Sequence, residues 1–323
     1  MRNIVTVGGG TGSYTLLRGL KKHNDIHISA IVSMADDGGS TGRLRDELGI
    51  LPPGDVRQCL VALSEHTDTV RALMSYRFED GGLKGHNFGN IFLAALEKVA
   101  GSFVKGVEVA SDILKIKGDV IPVTEDVATL AVKLNSGEAL IGEHSINTSN
   151  IQDSGVSSIY FEKEVGINRH ARDAIYHADI IVLGPGNFYC SLIPNLVVEG
   201  FKEALKESRA KIVIPVNLTN KKDHTEYWKV SNYVKEVEKT IDKKVDFILV
   251  NSEAPSKEQI ETYKIENGDG VMVENDMTDS RIVAKDLLSK EVVKFDAADE
   301  IASVRSFIRH DSDKLAAAII SLL

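Results

Sequence analysis

Cysteine is nearly absent from this chain, with two residues in 323, Cys59 and Cys190. Two thiols so far apart make neither a disulfide framework nor a zinc cluster, which favours a reducing compartment. Positive charge is also scarce. Lys and Arg number 38 against 47 Asp and Glu, a net charge of −9. That balance argues against a general nucleic-acid binder, which carries a basic stripe. Long apolar runs are missing as well. Leu315–Leu323 is nine residues with a serine inside, too short to span a bilayer. Ile4–Val7 is a four-residue run that stops at glycine, so no signal peptide is expected. These absences predict a cytoplasmic protein with no membrane insertion. No linker rich in Pro, Gly or Ser, no internal repeat and no low-complexity segment divides the chain. Residues 1–323 are therefore read as a single α/β domain.

What is present is an alternation of short β-rich runs with helical patterns, the sign of parallel strands joined by crossover helices. The clearest strands are Asn3–Val7, His27–Ser33, Asp179–Leu183, Lys211–Asn217 and Val245–Val250. Each is almost continuously apolar, as a strand covered on both faces should be. Phe88, Ile91, Phe92, Ala95, Leu96 and Val99 make one apolar helical stripe. Further helices are expected after Arg169 and from about Glu226 to Ile241. Between 119 and 147 the pattern changes: DVIPVT, ATLAVKL and EALIGEHSI read as three strands of a small antiparallel insertion. The charge-rich Asn220–Asp223 reads as a solvated turn.

The most informative feature is the set of polar loops that leave the apolar strands: GGGTGS, MADDGGSTGR, GPGNFY, NLTNKKD and NSE. In a parallel sheet these carboxyl ends share one edge, where ligands bind. Gly8, Gly9, Gly10, Thr11 and Gly12 let backbone amides approach a phosphate at a helix start. The loop is no P-loop, since no Gly-Lys-Ser/Thr ends it, and Ser13 stands where a dinucleotide fingerprint has its third glycine. Asp36 and Asp37 either hold a Mg²⁺ that bridges phosphate oxygens, accept ribose hydroxyls, or form an Asx turn before Gly38 and Gly39. Arg43 and Arg57 are read as anion clamps, with Ser40, Gly54 and Asp55 in the same Ser33–Gln58 stretch. Arg45 is left to the surface. Gly38–Gly42 also matches the nucleophile-elbow pattern, but Ser40 lies too far beyond its strand for that geometry. Asn87 and Asn90 are either N-caps of the amphipathic helix or ligand contacts from its N-terminus. Gly184, Pro185, Gly186, Asn187 and Asn217 complete the candidate rim.

Together GGGTG, MADDGGSTGRLRDELGILPPGDVRQCLVAL, GHNFGN, GPGNFYCSLIPNL and RHDSDKLA resemble the gluconeogenesis-factor (YvcK-like) family. That family is the bacterial branch of the superfamily containing 2-phospho-L-lactate transferase. The resemblance implies a Rossmann-like three-layer α/β/α fold and a nucleotide-sugar ligand such as UDP-N-acetylglucosamine. It further implies a role in cell shape and carbon-source use without an established reaction. Tyr263 and Arg309 fall where the family places UDP-sugar contacts. A homodimer and regulatory protein partners are compatible with such a role. The transferase branch is the alternative, with a guanosine nucleotide, a deazaflavin and Mg²⁺ on Asp36 or Asp37. Two segments depart from the family pattern: GPGNFYCS stands for GPGSLYTS, and NLTNKKDHTEYW for a segment like NxMTQPGET.

Overall fold

The computed structural model describes residues 1–267, 272–290 and 308–323. The apolar runs become strands of one parallel sheet with helices on both sides. Chain order runs β1 (Arg2–Gly8), α1 (Gly10–Leu20), β2 (Ile26–Val32), α2 (Gly39–Leu48), α3 (Gly54–Leu63) and α4 (Asp68–Ser75). Then come α5 (Phe88–Ala100), α6 (Phe103–Leu114), β3 (Asp119–Pro122), β4 (Leu130–Leu134), β5 (Ala139–Ile141), α7 (Glu143–Thr148) and β6 (Val156–Phe161). The second half contributes α8 (Arg169–His177), β7 (Ile180–Leu183), α9 (Ile193–Leu196), α10 (Phe201–Glu207), β8 (Lys211–Pro215) and α11 (Val230–Ile241). It ends with β9 (Phe247–Asn251), α12 (Lys257–Asn267), β10 (Ile282–Lys285) and α13 (Ser312–Ile320).

Strand order in the large sheet is β10-β9-β8-β7-β1-β2-β3. The chain lays strands outward from β1 in one direction, then returns to β7 and builds in the other. The reversal falls between β1 and β7, paired parallel from Ile4↔Ile180 to Val7↔Leu183. All four residues of β7 are buried, which explains why this strand reads as a continuous apolar run.

The insertion differs from its sequence reading. Asp119–Pro122 pairs parallel with β2, from Ser29↔Asp119 to Val32↔Pro122, and forms the edge of the large sheet. A proline is tolerated there because an edge strand leaves one side of its amides unpaired. The small antiparallel sheet is β5-β4-β6. Its third strand, β6, was not legible because its residues alternate only between exposed and half-buried. The segment after Gly142 turns into α7 rather than continuing β5. Helix α11 also starts at Val230, later than Glu226, because the Lys229 amide donates to Asn232 Oδ1 at 2.8 Å.

Helix α13 packs on α1, where a Cβ on Gly19 would lie 1.9 Å from the Ser312 carbonyl oxygen and 2.8 Å from Ala316 Cβ. This contact brings Arg309 and His310, just before α13, back to the sheet edge. Gly19→Ala is expected to destabilise the fold by about 1–3 kcal/mol, the scale of overpacking. A urea-unfolding midpoint equal to that of the unsubstituted protein would contradict the contact.

Candidate functional site

At the reversal point the loops after β1 and β7 leave side by side. A Cβ on Gly12 would sit 2.1 Å from the Pro185 carbonyl oxygen, so only glycine lets the first turn of α1 lie against the Gly184–Asn187 loop. Asn217, just beyond β8, ties a third loop in: its Oδ1 accepts from the Gly186 amide at 3.3 Å, and its Nδ2 donates to the Gly186 carbonyl at 2.9 Å. These loops wall a cleft of about 610 Å³.

Three helices aim their N-termini at this cleft. Helices α1, α2 and α3 follow Gly9, Gly38 and Pro53, none of which caps the helix with a side chain. Gly9, Gly10, Thr11 and Gly12 line the cleft from the first, Gly38, Gly39 and Ser40 from the second, and Gly54 and Asp55 from the third. Helix N-termini carry partial positive charge and amides without helical partners, a setting made for anions. Two half-buried carboxylates share it. Asp36 Oδ1 accepts from the Gly38 amide at 3.0 Å. Burial raises the Asp36 carboxyl above its usual range. Burial, then repulsion from Asp36, raises Asp55 to about 7. Glu143, at the start of α7, is raised to about 8, by burial first and Asp36 second. Arg57 is buried nearby, its Nε donating to Asn90 Oδ1 at 2.9 Å. Asn90 in turn donates to Thr41 Oγ1 at 3.3 Å.

Pro185, Gly186, Asn187, Asn217, Tyr263 and Arg309 also line the cleft, with Asp36, Arg57 and Asn90. Five anticipated residues do not. Gly8 ends β1, its carbonyl accepting from the Ser33 amide at 3.0 Å, and Gly184 makes the turn out of β7. Asn87 is the N-cap of α5, its Oδ1 accepting from the Asn90 amide at 3.3 Å. Asp37 turns away from Asp36 and accepts from the amides of Glu143 at 3.1 Å and His144 at 2.7 Å. It thereby holds the start of α7. Arg43 is exposed and donates to the Lys84 carbonyl at 3.5 Å. The loop after β9 also stays outside the cleft lining, with Asn251 Oδ1 accepting from the Leu287 amide at 3.0 Å.

Other cleft residues were not singled out from the sequence. Asn220–Asp223 is only in part a solvated turn: Lys222 is exposed, but Asn220 is buried and accepts from the Tyr233 hydroxyl at 2.9 Å. Lys221 Nζ donates to the Asn147 carbonyl at 2.8 Å, also reaches Asn147 Oδ1, and lies 3.3 Å from His224 Nε2. Burial, then the neighbouring Lys221, lowers His224 to about 3. His310 is lowered to about 4 by burial. For Asn220, Lys221 and His224 the available signal was position, since they belong to the loop that follows β8 at the carboxyl edge. Among the described residues no group of three or more His, Cys, Asp or Glu is arranged to hold a metal.

Asp55 sets a pH dependence. An unfolded aspartate ionises near ~3.9, whereas this one is raised to about 7. Between those values the folded state binds more protons, so stability falls as pH rises through that window. Asp55→Asn should flatten the fall in thermal unfolding temperature between about pH 4 and 7. A variant with the same slope as the unsubstituted protein would overturn the assignment.

The family model for "2-phospho-L-lactate transferase CofD" matches residues 4–293. A "Putative gluconeogenesis factor" from Thermotoga maritima is 41% identical over 317 residues, covering 98% of each chain. The "Gluconeogenesis factor" of Listeria innocua is 33% identical over 323 residues, covering 99% of this chain and 95% of its own. A crystal structure of a Bacillus halodurans protein superposes with a TM-score of 0.88 at 34% identity, over 99% of both chains. Likeness on this scale, across nearly the whole length, makes the chain a member of the CofD family, among the gluconeogenesis factors.

Proposed function

We propose that the cleft binds a nucleotide-sugar of the UDP-N-acetylglucosamine type, and that the protein works as a regulator of cell-wall and carbon metabolism rather than by turnover. The observation that carries this reading is the convergence of three helix N-termini without side-chain caps on one cleft. A volume of about 610 Å³ suits a ligand of that size. Tyr263 supports a base-contacting wall: it is buried, and its hydroxyl reaches Thr219 Oγ1 at 3.1 Å and the Asn220 carbonyl at 3.3 Å. Its ring is thereby fixed at the cleft. Arg309, on the same cleft, is suited to a diphosphate. The reading entails a cytoplasmic protein that acts through a regulatory partner.

A transferase of the 2-phospho-L-lactate type is the second reading, favoured by the half-buried pair Asp36 and Asp55. Burial opposes the ionisation of both carboxylates, and Asp36 further opposes that of Asp55; a divalent cation would relieve them, so the residues fit Mg²⁺. Asp36 and Asp55 would hold it, rather than Asp36 and Asp37. Bound there, the ion would neutralise charge on phosphate oxygens. Arg57 would add a fixed positive charge at the same place.

Calorimetry with UDP-N-acetylglucosamine, GDP, GTP and phosphoenolpyruvate, each with and without Mg²⁺, separates the two. The first reading predicts preference for the uridine nucleotide, weakened by about 1.5–3 kcal/mol in Arg309→Ala, the scale of a lost charged hydrogen bond. Unchanged affinity in that variant refutes the site, and preference for a guanosine nucleotide with metal favours transfer.

A further inference from the structure

Lys221 is a cation set into the cleft wall among uncharged partners. Its ammonium contacts the Asn147 carbonyl, Asn147 Oδ1 and His224 Nε2, and it forms no ion pair with a carboxylate among the described residues. His224 is buried and held neutral, so it accepts rather than shares the charge. The acidic groups that act on Lys221 are Cys190, Glu143 and Asp223, none of them within ion-pair reach, and Glu143 itself is raised to about 8. Lys221 is half-buried and partial burial lowers its proton affinity, so its charged form gains from an anion placed beside it. The position is also preorganised. Asn147 is anchored by the Asn187 side-chain amide, which donates to its Oδ1 at 2.9 Å. The amides of Ile151 and Gln152, beyond α7, both donate to the Asp223 carbonyl at 3.0 Å. The longest of the ammonium contacts, 3.3 Å to His224, is the one an incoming oxyanion would replace.

The location separates this cation from the phosphate locus. Helix α1 leaves β1, whereas Lys221 comes after β8, two strands along in the order β8-β7-β1, which is roughly 10 Å at about 4.8 Å per strand. We propose that Lys221 recognises a carboxylate on the ligand, apart from its phosphates, so that this chain selects a nucleotide bearing an acidic substituent over its neutral counterpart. The inference rests on the anion-cleft reading above and deepens it: the preferred class is a nucleoside-diphosphate sugar acid.

The test compares UDP-glucuronic acid with UDP-glucose by calorimetry on the full chain, Lys221→Met and Lys221→Arg. A thermal-shift arm adds phosphoenolpyruvate, which carries a carboxylate and a phosphate but no uridine. The unsubstituted chain should bind the sugar acid about tenfold or more tighter than UDP-glucose. Lys221→Met should lose that preference, binding the sugar acid no tighter than UDP-glucose, and Lys221→Arg should retain much of the preference. Equal affinity for both sugars in the unsubstituted chain overturns the proposal. So does an equal loss for both sugars in Lys221→Met, which would assign the lysine to the shared diphosphate. If no uridine nucleotide binds, the nucleotide-sugar reading fails by itself. Lys221 is then decided by phosphoenolpyruvate: stabilisation of the unsubstituted chain but not of Lys221→Met supports its role, and equal shifts or none overturn it.

Discussion

The site depends on the parallel pairing of β1 with β7 where strand order reverses. Strands on either side of that line send their connections apart, which opens a gap at the carboxyl edge. Two glycine loops can then share the gap only if their backbones touch, and the contact between Gly12 and Pro185 is that touch. A side chain at Gly12 would push α1 off the loop and turn its amides away from the cleft. The reciprocal bonds between Asn217 and Gly186 extend the same rigid edge to β8. Backbone groups held this way need no rearrangement before they meet an anion.

Charge in the cleft is balanced by arrangement rather than by number. The chain is acidic overall, yet helix ends, Arg57, Lys221 and Arg309 all line one cleft. The carboxylates of Asp36, Asp55 and Glu143 line the same space. Their raised proton affinities mean that the cleft changes charge near neutral pH. The small antiparallel sheet contributes through α7, which Asp37 fastens at one end and Lys221 near the other. The insertion thus forms part of the cleft wall instead of a separate unit.

The apolar strands were legible because burial on both faces leaves an unbroken hydrophobic run, and the glycine loops were legible because packing offers no other reason for such composition. β6 escaped notice because half-exposed residues carry little pattern, and its partner β4 lies more than twenty residues upstream. The paired aspartates could be located but not assigned. Adjacent side chains outside a helix diverge, so Asp36 enters the cleft while Asp37 caps α7. Arg43 failed for a related reason: the cleft meets the end of α2 rather than one of its faces, and a residue one turn in has already left it. Lys221 looked solvated because its neighbours are charged. Tertiary contacts, with Asn147 from the insertion, half-bury it.

The most direct measurement is a crystal structure with UDP-N-acetylglucosamine and Mg²⁺ present. The diphosphate should lie against the amides of Gly10–Gly12 and the start of α2, with the rest of the ligand reaching toward Tyr263 and Arg309. A ligand bound clear of the edge between β1 and β7, with those amides untouched, would contradict the anion cleft and the function built on it.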